Sequence, residues 1–399
     1  MVGGVAQEAE RAAHIRRVGG SSPSTATLSF WQYPATMSRR PSGLVAQPVC
    51  CRGPLRRDDL NLPVTPDELV ARHANAERDD LLQDVDRVLV GCSGGADSTV
   101  LLETLCRFRC SRGLEVAVAH LNHCWRGGES NRDQDKVAAL AEEFGVSFFS
   151  RKAPVVAGRC GPEATARASR LSFFRSVARC WAADALALGH NADDQAETVL
   201  LNLCRGSARA GLSGMRARRR LDGLLVIRPL LGCRRDAIRQ YARGRGLRWV
   251  EDSSNKDRRF TRNRIRGDLM PILESIAPGA VRNLVRAAAI LEAEERWLDV
   301  LIDGDYAAIR DNNDGDVVAL KVGQLRSLQR SRQRRLVRRA VEQVRGGLDG
   351  IGAVHVEAVL ETLERGEPRS RDLPGVRVRL LDDRLVFLPL QGRILRAPA

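Results

Sequence analysis

The stretch "VLVGCSGGADSTVLLETL", residues 88–105, sets two glycines, an aspartate and two serines between an apolar run and a helix-like pattern. Val88 to Cys92 reads as a short buried strand, and Thr99 to Leu105 has the i, i+3, i+4 apolar spacing of a helix packed on a sheet. Ser93, Gly94, Gly95, Ala96, Asp97 and Ser98 then form a strand-to-helix turn. Glycine takes backbone angles closed to other residues, so the N–H groups of such a turn can converge on one point, and the following helix adds its free donors and positive dipole end. That arrangement suits phosphate. No GK[ST] follows, so the turn is not the lysine-bearing P-loop. A carboxylate among phosphate donors repels its ligand unless a cation lies between them, so Asp97 implies Mg2+ held between protein and pyrophosphate.

Further side chains with chemical potential come in spaced pairs. Asp194 and Glu197 in "GHNADDQAET" lie three apart and share one face of a helix, while Asp193 beside them suits the free N–H groups of a helix start. Arg167 and Arg170 in "EATARASRLSFF" are also three apart. His120, His123 and Cys124 in "HLNHCWRGG" could begin a metal site, but the chain offers no matching second half.

The elements that position these groups alternate. The patterning predicts strands at 88–92, 115–120, 146–150 and 185–189, with helices at 98–107, 131–144, 163–183 and 192–204. Such alternation gives a doubly wound parallel sheet of the α/β class, with ligands at the C-terminal strand ends, where both the SGGADS turn and "GHNADDQAET" fall. "LLVIRPLL" and "RRDAIRQYARGRGL" extend this unit, a catalytic domain over 61–255. A helical linker over 256–310 follows, then a small α+β domain over 311–399 in which "VRVRLLDDRLVFLPL" forms a hairpin turning at its two aspartates. A helix near 330–345 carries arginines at 330, 332, 334, 335, 338 and 339 beside a buried stripe of Leu336, Val337, Val341 and Val344. Read with the net charge of +15, it is a candidate RNA contact. That charge is almost wholly arginine, since only Lys136, Lys152, Lys256 and Lys321 are lysines, and it favours a polyanionic partner over a membrane surface. No apolar run approaches the length of a membrane span.

The 10 cysteines form no C-x-x-C pair and sit in apolar contexts, which reads as buried free thiols in a reducing, cytoplasmic compartment. Residues 1–60 are Ser/Pro/Gly-rich without periodicity and read as a disordered or misassigned N-terminal extension. Their Arg and Ser content resembles a transit peptide, but Glu8 and Glu10 oppose that.

Five blocks sharpen the picture: "HLNHCWRGGESNRD", "EATARASRLSFF", "LGHNADDQAETVLLNLCRGSARAGLSGM", "IRPLL" and "EDSSNKDRRFTRNRIRGDLMPIL". With the SGGADS turn they cover about residues 85–275, and in this order they resemble the tRNA(Ile)-lysidine synthetases, ATP-dependent enzymes of the pyrophosphatase-loop superfamily. Asn122 departs from the family, which usually has Asp there. The resemblance implies that ATP and free lysine convert the first anticodon cytidine of a CAU-anticodon isoleucine tRNA to lysidine, and it allows a homodimer. It also implies parts for the residues. Ser93 to Ser98 would hold ATP phosphates with Asp97 on Mg2+. Asp194 and Glu197 would bind the lysine amino groups or a metal and help take a proton from the amine. Arg167 would meet the reacting phosphate, with Arg170 beside it or at the lysine carboxylate. His190 would position a base, and Arg205 with "RGSARAGLSGM" would form a mobile loop over the anticodon. Asn255, Arg262, Asn263 and Arg266 would grip tRNA or ATP.

Other classes stay open at this level. A tRNA thiolase on the same core would need paired cysteines or a sulfur carrier, and a small-molecule amidotransferase an ammonia source. A non-catalytic tRNA-binding protein would explain the charge but not Asp97, Asp194 and Glu197.

Overall fold

The computed structural model describes residues 81–124, 127–153, 162–221, 223–251, 258–311, 317–365 and 370–390. Residues 1–60 and Asn255, on which sequence expectations fall, lie outside the described residues.

β1 (Arg87–Gly91) is a strand because Val88, Leu89 and Val90 are apolar in succession and each is fully buried, as a central strand covered on both faces requires. After it come α1 (Ala96–Arg112), β2 (Glu115–Asn122), α2 (Gly128–Glu143), β3 (Ser147–Lys152), α3 (Pro162–Cys180), β4 (Ala185–Leu188) and α4 (Ala192–Cys204). A short turn of helix, α5 (Arg209–Leu212), leads to the hairpin of β5 (Arg218–Leu221) and β6 (Leu224–Ile227), then to α6 (Arg235–Gly244). The sheet order is β3-β2-β1-β4-β6-β5, with β5 alone antiparallel. Two cores lie on its two faces, one including Val88, Val90, Leu101, Leu105, Val137 and Ile238, the other built on Leu89, Phe173, Phe174, Val177 and Leu186. The expected doubly wound sheet is therefore present.

Two boundaries move in ways that matter. α1 begins at Ala96, so Asp97 and Ser98 belong to its first turn and not to the loop before it. β6 ends at Ile227, before Arg228 and Pro229, because proline has no N–H to continue a ladder. β5, "RRRL", was not legible as a strand, since it lacks apolar alternation and sits at the sheet edge.

The segment after the catalytic unit is packed, not extended. It runs through α7 (Thr261–Arg264), one π-helical turn (Ile265–Leu269), α8 (Met270–Ile276) and the 30-residue α9 (Ala280–Ile309). Ile265, Met270 and Val281 bury themselves against Ala196 and Leu200 of α4. No helix among the described residues is long and apolar enough to cross a membrane.

The C-terminal unit is a five-stranded antiparallel sheet ordered β7 (Arg310–Asp311), β8 (Val318–Lys321), β11 (Arg384–Pro389), β10 (Val376–Leu381) and β9 (Ser370–Leu373). It is covered by α10 (Val322–Ser327), α11 (Arg330–Arg345) and α12 (Ala353–Arg365). The predicted hairpin turns at Asp382, whose φ of 45° lies in the left-handed region.

α11 is the basic helix, and most of its arginines also pair with acids inside the chain. Arg330 pairs with Glu357 and Glu364, Arg332 with Asp305, Arg334 with Glu357, Arg335 with Glu295 and Arg339 with Asp303. The neighbouring faces of α9 and α12 supply these acids, so five of the six arginines take part in bracing the helix, while Arg332, Arg334 and Arg339 stay about half exposed. Arg335 grips Glu295 through both oxygens at 2.7 and 2.8 Å, and Glu295 is only 3% exposed. Arg335→Gln should lower unfolding stability by about 3 kcal/mol, because a buried carboxylate loses its counter-charge. A urea midpoint equal to that of the parent would show Glu295 to be solvated.

Candidate functional site

The sheet order reverses direction beside β1, with β2 on one side and β4 on the other, and the crevice outside these strand ends is where ligands bind in such folds. Gly91 and Leu188, the last residues of β1 and β4, are register partners, so the two motif-bearing loops leave the sheet side by side. Close contact is built in. A Cβ on Gly189 would sit 3.1 Å from the backbone of Asp97 and Ser98.

The phosphate turn is preorganised. Gly94 has φ +82°, a conformation costly for other residues, and its carbonyl accepts from Val250 N at 2.8 Å. Ser98 Oγ accepts from Ser93 N at 3.2 Å and donates to Gly95 O at 3.0 Å, which folds the turn onto the helix start. Gly95 is the N-cap of α1 and has no side chain to cap it, so the first N–H groups remain available to an anion.

Asp97 faces this opening. Its Oδ1 and the Nδ2 of neighbouring Asn191 are both buried and fall short of a well-formed hydrogen bond, although the amide is near enough to favour the charged carboxylate. Burial, and then the negative charge of Asp194, push its carboxyl up to about 6, against the pull of Arg235. A buried carboxylate oxygen short of hydrogen bonds is a cost unless something positive meets it. Among the described residues no cluster of His, Cys, Asp and Glu could hold a metal by itself. Asp97 would suit Mg2+, a hard cation that takes carboxylate and phosphate oxygens.

Asp193, Asp194 and Glu197 do open α4, each with a separate task. Asn191 and Asp194 form a reciprocal cap, Asp194 N to Asn191 Oδ1 at 2.9 Å and Asn191 N to Asp194 Oδ2 at 3.1 Å. Asp193 caps a different helix, accepting from Arg235 N of α6 at 2.7 Å. Asp194 Oδ1 meets Arg235 at 3.0 Å and Arg266 at 3.2 Å. Glu197 accepts from Arg266 Nε at 2.7 Å, from Arg266 Nη2 at 3.0 Å and from Arg262 Nε at 2.9 Å. Arg262 and Arg266, expected to grip tRNA or ATP, are thus brought to the acids of α4 by the turns around 261–269. Both carboxylates have both oxygens occupied, but the Glu197 side chain is 1% exposed whereas that of Asp194 keeps 14%.

On the opposite side the site is positive. His190 accepts at Nδ1 from Arg228 Nε at 3.3 Å, which leaves its ring proton on Nε2. Burial, then Arg228, Arg262, Arg167 and Arg170, hold that imidazole down at about 3, so it is neutral and can donate. Arg170 approaches His123 Nε2 at 3.5 Å; burial and this arginine lower His123 to about 4. Arg167 and Arg170 are exposed on α3, and their charges converge on the His190 ring.

Arg228 was missed as a site residue, although "IRPLL" stood out. It is 6% exposed, burial pulls it down to about 10, and it donates to Arg216 O at 2.7 Å and to His190, with no carboxylate partner among the described residues. A buried guanidinium without an acid beside it is complementary to an anionic ligand. The signal that could have found it is its position, the residue directly after a parallel strand.

Asn122 is explained. Its Nδ2 lies within 3.1–3.2 Å of Ser130 O, Asn131 Oδ1 and Gln134 Oε1, and its Oδ1 accepts from Cys124 N at 2.9 Å. An aspartate could not donate to these acceptors. Burial pushes Cys106 and Cys233 up to about 12 and raises Cys92 as well, so these three are not ready nucleophiles, whereas Cys180 and Cys204 are exposed, contrary to the expectation of buried thiols.

Arg205 is not drawn into this cluster: it is exposed at the C-cap of α4. Asn263 lies in α7 between Arg262 and Arg264. The loop expected to be mobile is tied to α4 at its far end. Gln195, 4% exposed, accepts from Met215 N at 2.7 Å and donates to Met215 O at 3.0 Å, and Asn202 donates to Gly211 O at 2.8 Å. Gln195→Ala should raise amide exchange across 209–215 by at least about tenfold, the loss of roughly 1.4 kcal/mol of protection. Unchanged exchange there would show that the latch is incidental.

A doubly wound sheet with an SGG turn feeding an uncapped helix defines a nucleotide-binding α/β protein of the pyrophosphatase-loop class, and a family model described as a PP-loop domain matches residues 67–273. The chain is 39% identical over 295 residues to a tRNA(Ile)-lysidine synthase of Solibacter usitatus (strain Ellin6076), covering 73% of this chain and 65% of that protein. It is 38% identical to one from Geobacter sulfurreducens (strain ATCC 51573 / DSM 12127 / PCA), covering 72% and 61%. It is 36% identical to one from Gloeobacter violaceus (strain ATCC 29082 / PCC 7421), covering 76% and 91%. The chain belongs to the tRNA(Ile)-lysidine synthase family. It spans just under two thirds of the length of the first two of these relatives.

Proposed function

We propose that this chain ligates lysine to C2 of the first anticodon cytidine of CAU-anticodon isoleucine tRNA, using ATP in the cytoplasm. The observation that carries the reading is Asp97, whose buried carboxylate oxygen lacks a well-formed hydrogen bond at the open N-terminus of α1, with cationic Arg228 and the Arg167/Arg170 pair near the same strand ends. Family membership selects the substrates.

In the first step cytosine O2 attacks the α-phosphorus, an O–P bond forms and pyrophosphate leaves. The SGGADS turn and the α1 N-terminus hold the phosphates, and Arg167, Arg170 and Arg228 offset the growing negative charge. Mg2+ on Asp97 would supply further charge neutralisation. His190, neutral with its proton on Nε2, orients an acceptor on the base or nucleotide. In the second step the lysine ε-amine attacks C2, the C2–O bond breaks, AMP leaves and the amine sheds a proton. Asp194, the more exposed of the two carboxylates, is the one assigned to the amino groups, exchanging an arginine contact for them. Glu197, sealed by Arg262 and Arg266, positions α4 and does not touch substrate. Tertiary support for tRNA falls to the C-terminal unit, with α11 as its brace.

The steps separate experimentally. With ATP, Mg2+ and CAU transcript but no lysine, one burst of pyrophosphate per active site is expected, and AMP release should await lysine. Lysine-dependent pyrophosphate release in the absence of tRNA would overturn the reading, because it would mean that lysine, not cytidine, is activated.

A further inference from the structure

Three guanidinium groups converge on one carboxylate oxygen. Asp194 Oδ1 lies 3.0 Å from Arg235 Nη2, 3.2 Å from Arg266 Nη2 and 3.8 Å from Arg262 Nη2. Their grips differ. Arg266 also holds Glu197 at 2.7 and 3.0 Å, and Arg262 holds Glu197 at 2.9 Å and the Asp194 carbonyl at 3.1 Å. Among the described residues the Arg235 side chain makes one hydrogen bond, to Asp194, and its next carboxylate, Glu197, stands 3.6 Å away. Its backbone is fixed separately, the N–H donating to Asp193 at 2.7 Å, so the side chain can leave without unseating α6. The cap of α4 survives too, because it uses the other oxygen, Asp194 Oδ2. As they stand the charges balance, Asp97, Asp194 and Glu197 against Arg235, Arg262 and Arg266. A lysine ammonium is then one cation too many, and a triphosphate at the α1 N-terminus is the anion that would offset it.

We infer that Arg235 is a movable counter-charge that closes the lysine subsite until nucleotide arrives: it rests on Asp194 in the free enzyme and turns to the ATP phosphates when they bind, which leaves Asp194 Oδ1 to the ammonium. This rests on the assignment of Asp194 to the lysine amino groups. The phosphate site is within electrical reach, since the charge of Arg235 already acts on Asp97 in the first turn of α1, next in strength to that of Asp194. A guanidinium pairs with phosphate as readily as with carboxylate, through two parallel donors, so the exchange is nearly even once phosphate is present. Arg262 and Arg266 are unsuited to the task. Either one, on leaving, would strip a counter-charge from Glu197, which is 1% exposed, and uncovering a buried charge is strongly unfavourable. Without ATP, lysine has to displace a guanidinium that has no other anion to meet; with ATP, it finds an open carboxylate. The two ligands therefore bind with positive coupling, and lysine tightens ATP by the factor with which ATP tightens lysine.

Calorimetric titration of free lysine into the full chain, alone and saturated with Mg2+ and a non-hydrolysable ATP analogue, reads this coupling. The analogue should raise lysine affinity about tenfold or more, within the usual range for coupled sites. Arg235→Gln should bind lysine without the analogue about as tightly as the parent does with it, so that the ratio of the two affinities falls to near one. Arg235→Lys keeps an exchangeable charge and should keep the ratio, and both variants retain the backbone N–H that meets Asp193. A fixed positive charge would behave differently: its removal would tighten lysine equally in both states and leave the ratio untouched. That result would overturn the proposal, and so would Arg235→Lys being as uncoupled as Arg235→Gln. A parent protein whose lysine affinity ignores the analogue would overturn it without any variant. Lysine that binds no protein under either condition would remove the assignment of Asp194 and the counter-charge role together, whereas uncoupled lysine binding removes the role of Arg235 alone.

Discussion

Asp97→Asn is expected to abolish turnover and to make the protein more stable. Loss of the carboxylate proposed to hold Mg2+ should cost about 100- to 1,000-fold in rate, the scale for removing one electrostatic contact to the reacting charge. Stability moves the other way because the folded state disfavours this charge: burial and Asp194 raise the carboxyl from 3.8 to about 6. Between those values the folded protein holds a proton that the unfolded chain has released, so the parent loses stability as pH rises from about 4 to about 6 and carries the full cost above it. At about 1.4 kcal/mol per pKa unit, Asp97→Asn should gain up to about 3 kcal/mol near pH 7.5 without ligand, and nothing near pH 3.5. Thermal unfolding at the two pH values checks this. An asparagine variant that is less stable at neutral pH would mean that Asp97 is held by the fold and not by its ligand.

Glu197→Ala should have the largest structural effect. It leaves Arg266 and Arg262 facing each other with only Asp194 between them, and breaking a buried pair from one side costs about 3–5 kcal/mol. The melting temperature should fall by roughly 10 °C for a unit of this size, with the helices after residue 261 loosening first in hydrogen exchange. A stable Glu197→Ala protein that had lost only lysine transfer would return Glu197 to the catalytic role expected from its sequence block.

The contrast between Asp97 and Glu197 shows how far the sequence could be read. The SGGADS turn was legible because its chemistry is local: glycine angles, a helix start and one carboxylate within six residues. The alternating strands and helices were legible because each buries its own stripe. Glu197, Arg262 and Arg266 were identified, but their pairing was not, since it depends on where residues 261–269 pack after an intervening helix and loop. The ion pairs of the α11 arginines were hidden for the same reason: their partners, Asp303, Asp305, Glu295 and Glu357, lie on other helices. Arg228 was hidden because its meaning comes from a strand end and a neighbouring histidine, neither of which spacing reveals.

The central claim is that cytidine is activated at the Asp97 site and then takes lysine. Its most direct measurement is transfer of labelled lysine, with ATP and Mg2+, to a CAU-anticodon isoleucine tRNA transcript and to the same transcript with uridine as the first anticodon base. Label is expected on the cytidine transcript only, lost in Asp97→Asn, with one AMP and one pyrophosphate formed per lysine attached. AMP and pyrophosphate formed with no label in the RNA, or equal label on the uridine transcript, would contradict it.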